Sequence, residues 1–104
     1  MAAAERNYRV ASNEDWSPDL AANKNLGAAV ATVTMKNADG DVAYSGNAPI
    51  VTGSTTSSIS PEILAADQLS VGIYEWDMLV VDYPAVGESH QWFYGTYTVY
   101  QGQS

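Results

Sequence analysis

The sequence predicts a small antiparallel β-sandwich, and three observations lead there. Apolar and polar residues alternate with period two over 29–36, 73–81 and 92–100, the rhythm of strands whose two faces meet different surroundings. Turn-forming residues recur at a spacing of roughly 8–12 residues, as they do in sandwiches. Helical periodicity is never sustained beyond one turn. The strands read as half-buried rather than wholly apolar, which favours antiparallel pairing over alternating strand–helix units.

The first strand falls near residues 7–12, around Tyr8 and Val10, with Trp16 a further candidate for it. Residues 12–19 are dense in Ser, Asn, Asp and Pro and form a loop. Residues 20–25 have the composition of one helical turn. From Ala29 the alternation is clean: Ala29, Ala31, Val33 and Met35 face the core, and Val30, Thr32, Thr34 and Lys36 face water. Asn37, Asp39, Gly40 and Asp41 supply the left-handed-tolerant chemistry of a hairpin turn. The return strand covers 42–45 with Tyr44 as its anchor, and Pro49 makes 48–52 an edge strand. Threonine and isoleucine in 53–60 fit a short exposed strand. Ser60 and Pro61 read as N-cap and first helical residue of a short helical turn near residues 61–67, which packs Ile63, Leu64 and Leu69 under the sandwich. Gly72 then opens a long hairpin, with strands over 73–83 and 92–100 joined through Pro84, Ala85, Val86, Gly87 and Glu88. These six to eight strands make a single domain over 1–104, since 104 residues leave no room for a second core.

Apolar residues make up 46% of the chain and charged residues 15%, the balance of a packed rather than a disordered protein. There is no cysteine, which excludes disulfides, thiolate metal sites and cysteine nucleophiles. Charge arrives at Glu5 with no apolar run behind it, unlike a signal peptide. No stretch approaches the roughly 20 apolar residues that span a bilayer. The net charge of −8 is uneven: 1–36 hold all four basic residues and four acids, whereas 37–104 hold eight acids and no Lys or Arg. Such a field repels phosphate, so neither nucleic acid nor an anionic membrane is an expected partner. It suits a basic protein surface, and it also keeps strand edges from aggregating.

Catalytic chemistry finds little support. Ser89 and His90 are neighbours on a strand and so point to opposite faces, which makes no dyad. Asp39-Gly40-Asp41 has the look of a calcium-loop fragment, but lacks the further oxygens such a site takes. Glu75 and Asp77 share a strand face and could form a carboxylate pair, although on an open sheet they read as solvated. Phosphate loops, zinc spacings and nucleophile elbows are absent from the sequence. The expectation is a protein that is not an enzyme and takes no metal and no cofactor.

Eight of the eleven aromatic residues lie from Tyr74 onward. In 73–83, Tyr74, Trp76, Met78 and Val80 share the core face, with Glu75 and Asp77 opposite. In the partner strand Phe93, Tyr97 and Val99 point inward, leaving Trp92, Tyr94 and Tyr100 outward as an interface. Exposed aromatics are enriched where proteins meet; the alternative is that a loop or the N-terminal segment covers them. On this assignment Trp76→Ala unfolds the domain while Trp92→Ala spares folding and weakens assembly.

Asp15-Trp16, the run from Leu26 to Val30, Ala38-Asp39-Gly40, Gly72-x-Tyr74-x-Trp76-Asp77-Met78 and Gly95-x-Tyr97-x-Val99 follow one another along nearly the whole chain. This succession resembles small immunoglobulin-like β-sandwich structural proteins of tailed bacteriophages, including the N-terminal domain of baseplate upper proteins. The resemblance implies an immunoglobulin-like antiparallel sandwich of about seven strands. It also implies a non-enzymatic virion structural protein, a baseplate or tail-fibre adaptor that binds other virion proteins of tail, baseplate or capsid. Such a protein is located in the virion after assembly in the host cytoplasm, with self-association an open alternative. Its motifs mark packing and turns, so they imply no functional residue. Two alternatives stand beside it: a capsid cement or decoration protein, and a carbohydrate-binding module in which Trp92, Tyr94 and Tyr100 stack on sugar beside Gln91, Thr96 and Thr98.

Overall fold

Nine strands and one 3-10 turn are present in the computed structural model, which describes residues 3–27, 29–83 and 85–102. Met1, Ala2, Ala28, Pro84 and residues 103–104, some of which entered the sequence motifs, lie outside the described residues. The strands are β1 (Ala4–Glu5), β2 (Tyr8–Ala11), β3 (Leu20–Ala22), β4 (Val30–Lys36), β5 (Val42–Ala48), β6 (Ile50–Val51), β7 (Ser57–Ile59), β8 (Gly72–Val81) and β9 (Ser89–Tyr100), and the turn is Ala65–Asp67. β1 and β6 are two-residue pieces, so seven strands have three residues or more. The larger sheet runs β1-β9-β8-β4-β5, with β2 also on the edge of β9, and the smaller runs β3-β7-β6. This is the immunoglobulin-like division, with β3, β7 and β6 in the places of strands B, E and D, and β4, β8 and β9 in those of C, F and G. Pairing is antiparallel except along one edge, where β1 and β2 run parallel to β9. Among the described residues no helix is long and apolar enough to cross a membrane.

Three local expectations give way to tertiary partners. Residues 20–22 are a strand rather than a helical turn, because Leu20 and Ala22 face the core and each residue of β3 pairs with one of β7. β7 is not exposed. It is the middle strand of the smaller sheet, with Ile59 buried and the Ser57 hydroxyl donating to the Lys24 carbonyl at 2.7 Å while accepting from the Leu26 N–H at 3.2 Å. Ser60 caps no helix, for its hydroxyl donates to Asp19 Oδ1 at 2.8 Å. The single turn starts four residues later, where Asp15 Oδ1 accepts the Ala65 N–H at 2.6 Å, and Leu64 is exposed. Pro49 does introduce an edge strand, β6.

The core is aromatic. Trp16 packs edge-on against Tyr97 and Trp76 with ring centres 5.0 and 5.9 Å away, and Tyr8 closes the group at 5.2 Å from Trp16. Backbone pairing of Trp16 with Ile63, 2.8 Å in both directions, brings the loop before β3 over this group. At the start of β8 the Tyr74 hydroxyl donates to the Ser70 carbonyl at 2.6 Å. That bond is the tyrosine corner of immunoglobulin-like sandwiches. Two residues on, where disulfide-bearing members place a cysteine, this chain places Trp76. Ring packing of Trp76 against Tyr8 and Trp16 thus stands where a covalent bond would be.

Between β1 and β2 the chain crosses directly over Gly95. The Trp76 indole N–H donates to the Arg6 carbonyl at 2.7 Å, and Asn7 Oδ1 accepts the Thr96 N–H at 2.9 Å. A Cβ on Gly95 would collide with the Arg6 carbonyl, and φ there is +155°. Backbone cannot yield as a side-chain tip can. Gly95→Ala is therefore expected to destabilise by about 1–3 kcal/mol through overpacking, read by chemical denaturation; a neutral result would mean that the crossing is loose.

Tyr97 is fully buried, and its hydroxyl donates to Gln68 Oε1 at 2.7 Å. Burial pushes its pKa up from 10.0 to about 12, against a smaller lowering by the Gln68 bond. A raised phenol pKa gives stability that is complete below about pH 10, the unfolded value, and is lost as pH climbs through about 12. Melting temperature should fall across that window, and Tyr97→Phe should flatten the fall. An unchanged slope in the variant would remove Tyr97 as its cause.

Candidate functional site

The sequence candidates for chemistry remain scattered. His90 is exposed, and its Nε2 lies 3.6 Å from Glu88 Oε1 at the surface. Ser89 and His90 sit opposite Val81 and Val80, on alternate faces of the ladder. Asp39 and Asp41 are explained by their turn, since Asn37 Oδ1 accepts both of their backbone N–H groups at 3.0 Å around Gly40, whose φ is +85°. Among the described residues no three of His, Asp and Glu gather as metal ligands.

The three aromatics expected outward part company. Tyr94 is 40% exposed on the outer face of the larger sheet. Tyr100 is on the same face but half-covered, with the Arg9 guanidinium of β2 4.4 Å from its ring centre and its hydroxyl 3.4 Å from Glu14 Oε1. Trp92 is a correction: it is buried, 7% exposed, and packs edge-on against Tyr83 at 5.5 Å. The cause is a β-bulge. Met78 pairs with Phe93 and Leu79 with Gln91, which leaves Trp92 as an extra residue. Two residues then oppose one, both Trp92 and Phe93 turn inward, and the parity of the strand reverses beyond them.

Register assembles what surrounds Tyr94. Ser45, Thr34, Asp77, Tyr94 and Glu5 lie side by side across five strands, and the next row places Lys36 beside Glu75 and Thr96. All of these except Ser45 line a shallow recess of about 420 Å³ in the outer face. Three of its side chains are carboxylates and one is cationic, and no carboxylate lies within 4 Å of Lys36 among the described residues. The recess is open to water. It can recognise a partner through one ring, hydroxyls and negative charge. β8 supplies Glu75 and Asp77 because its alternation turns Tyr74 and Trp76 inward, β1 supplies Glu5, and β9 supplies the ring.

A second recess, about 280 Å³, opens where β3 faces β1. It could not be foreseen from local pattern, because it depends on which edges the two sheets leave uncovered. The confinement of all four basic residues to 1–36 was its single trace.

A scan against protein-family models and a search of curated proteins match nothing to this chain. Among solved structures it is similar to a family 123 glycoside hydrolase from Clostridium perfringens, reported with the details of glycolipid glycan hydrolysis. The TM-score is 0.51 at 12% identity, covering 92% of this chain and 23% of that one. At this identity the likeness concerns the fold alone, and the chain spans under a quarter of the hydrolase's length.

Proposed function

We propose that this chain is a non-enzymatic structural component of a tailed-phage particle, a baseplate or tail-fibre adaptor that binds other virion proteins. The reading rests on the motif succession from Asp15 to Val99 and on an immunoglobulin-like sandwich of matching type. One observation carries the docking role: Tyr94 stands exposed in the middle of an acidic, open sheet face while the other rings of the long hairpin are buried or covered. An aromatic ring framed by polar groups is the composition of an interface anchor, and Glu5, Glu75 and Asp77 select a basic surface on the partner. Repetition on a symmetric particle lets a modest contact act many times. A capsid decoration protein would use the same face.

The glycan reading keeps Tyr94 with Thr96 and Gln91 beside it, and loses Trp92 to the interior and Tyr100 to Arg9. One ring makes a poor sugar platform. The test compares wild type with Tyr94→Ala and Asp77→Lys. Both variants should melt like wild type, and incorporation into particles at a fixed ratio to a tail or shell protein should weaken about tenfold or more. Binding of a glycan array by the monomer, with no incorporation into particles, would replace this reading by the carbohydrate one.

A further inference from the structure

The smaller sheet has three strands, whereas immunoglobulin-like sandwiches commonly run a fourth, strand A, beside the one in the place of β3. In this chain the N-terminal strands pair with β9 of the larger sheet instead. Among the described residues the outer edge of β3 therefore has no neighbouring strand. The 280 Å³ crevice lies along that edge. Trp92 and Phe93 form its apolar floor, Ala21 and Ala22 are the low wall contributed by β3, and Arg6 and Lys24 stand at its rim. No acid lines it. Arg6 and Lys24 are two of only four basic residues in a chain of net charge −8. Neither lies within 4 Å of a carboxylate among the described residues.

We propose that the edge of β3 and this crevice accept an extended, acidic segment of a partner protein as an added strand. The outer edge of β3, opposite its pairing with β7, offers the ladder, the mode by which sheet edges capture peptides. Period-two alternation sends every second side chain of the incoming strand toward the crevice. The alanines leave room there for an apolar side chain beside Trp92, next to the Phe93 ring over which the Arg6 guanidinium lies at 5.7 Å. Charge decides the occupant: an acidic segment is drawn to Arg6 and Lys24, and is repelled by the eight acids and absent cations of 37–104. A basic segment would prefer the Tyr94 face. The two surfaces have opposite charge and lie on different edges and faces of the sandwich, so either assignment can fail alone.

The test selects binders from a random-peptide library on the whole chain. Recovered peptides should alternate apolar residues around Asp or Glu, and amide shifts on binding should centre on residues 20–24. Affinity should drop about tenfold or more for the paired variant Arg6→Glu/Lys24→Glu, where attraction becomes like-charge contact. The proposal is overturned if no peptide binds, if binding ignores the charge reversal, or if the shifts centre elsewhere. A dimer that forms with rising concentration and excludes the peptides would assign the edge to a second copy instead.

Discussion

Trp76→Ala is expected to abolish the cooperative fold. Truncating a buried tryptophan costs about 3–5 kcal/mol, against total stabilities of about 5–15 kcal/mol and the low end of that range for a chain this short. Trp76 is 2% exposed, and its ring lies 5.6 Å from Tyr8 and 5.9 Å from Trp16. Its indole N–H also pins the Arg6 carbonyl, so the variant frees the N-terminal crossing as well as emptying the core. Thermal and denaturant melting followed by circular dichroism measure the loss. Trp76→Phe keeps a ring and forfeits the indole bond, an effect of about 1 kcal/mol. If Trp76→Ala melts like wild type, the sheets do not pack through this residue.

Trp92→Ala is expected to destabilise by about 3 kcal/mol, the lower end for a buried tryptophan, since one side of the ring borders the β3 crevice. Strict alternation along β9 would have made this variant harmless. The comparison with Tyr94→Ala is the informative one: the first should lose stability and the second should keep it. Equal neutrality of both would mean that the bulge opposite Met78 is absent in solution, and would return Trp92 to the outer face.

The long hairpin was legible because its signal is local. Tyr74, Trp76, Met78 and Val80 in β8, and Phe93, Tyr97 and Val99 in β9, fall inward by parity alone. The strand from Ala31 to Met35 and the Asn37–Asp41 turn were legible for the same reason. What failed depended on distant partners. Three residues at Leu20–Ala22 cannot distinguish a helical turn from a strand until β7 lies beside them. The placement of Trp92 turned on a single extra residue, and its one sequence hint was the run of three aromatics, Trp92, Phe93 and Tyr94. Parallel pairing of β1 and β2 with β9 has no local signature at all. Of the candidate interface, Tyr94 could be read from the chain; its setting among Glu5, Thr34 and Asp77 required the register of four strands.

That terminal pairing has a mechanical outcome. Ala4 lies beside Phe93 and Ala11 beside Tyr100, with the Gly102 N–H on the Ser12 hydroxyl at 3.1 Å. Pulling Ala4 and Gly102 apart would load the β2–β9 rungs in shear, all together, rather than peeling them one at a time. Rupture under tension is governed by the unfolding barrier rather than by equilibrium stability. A module tethered at both ends should hold its shape while neighbouring parts of a larger machine strain against it.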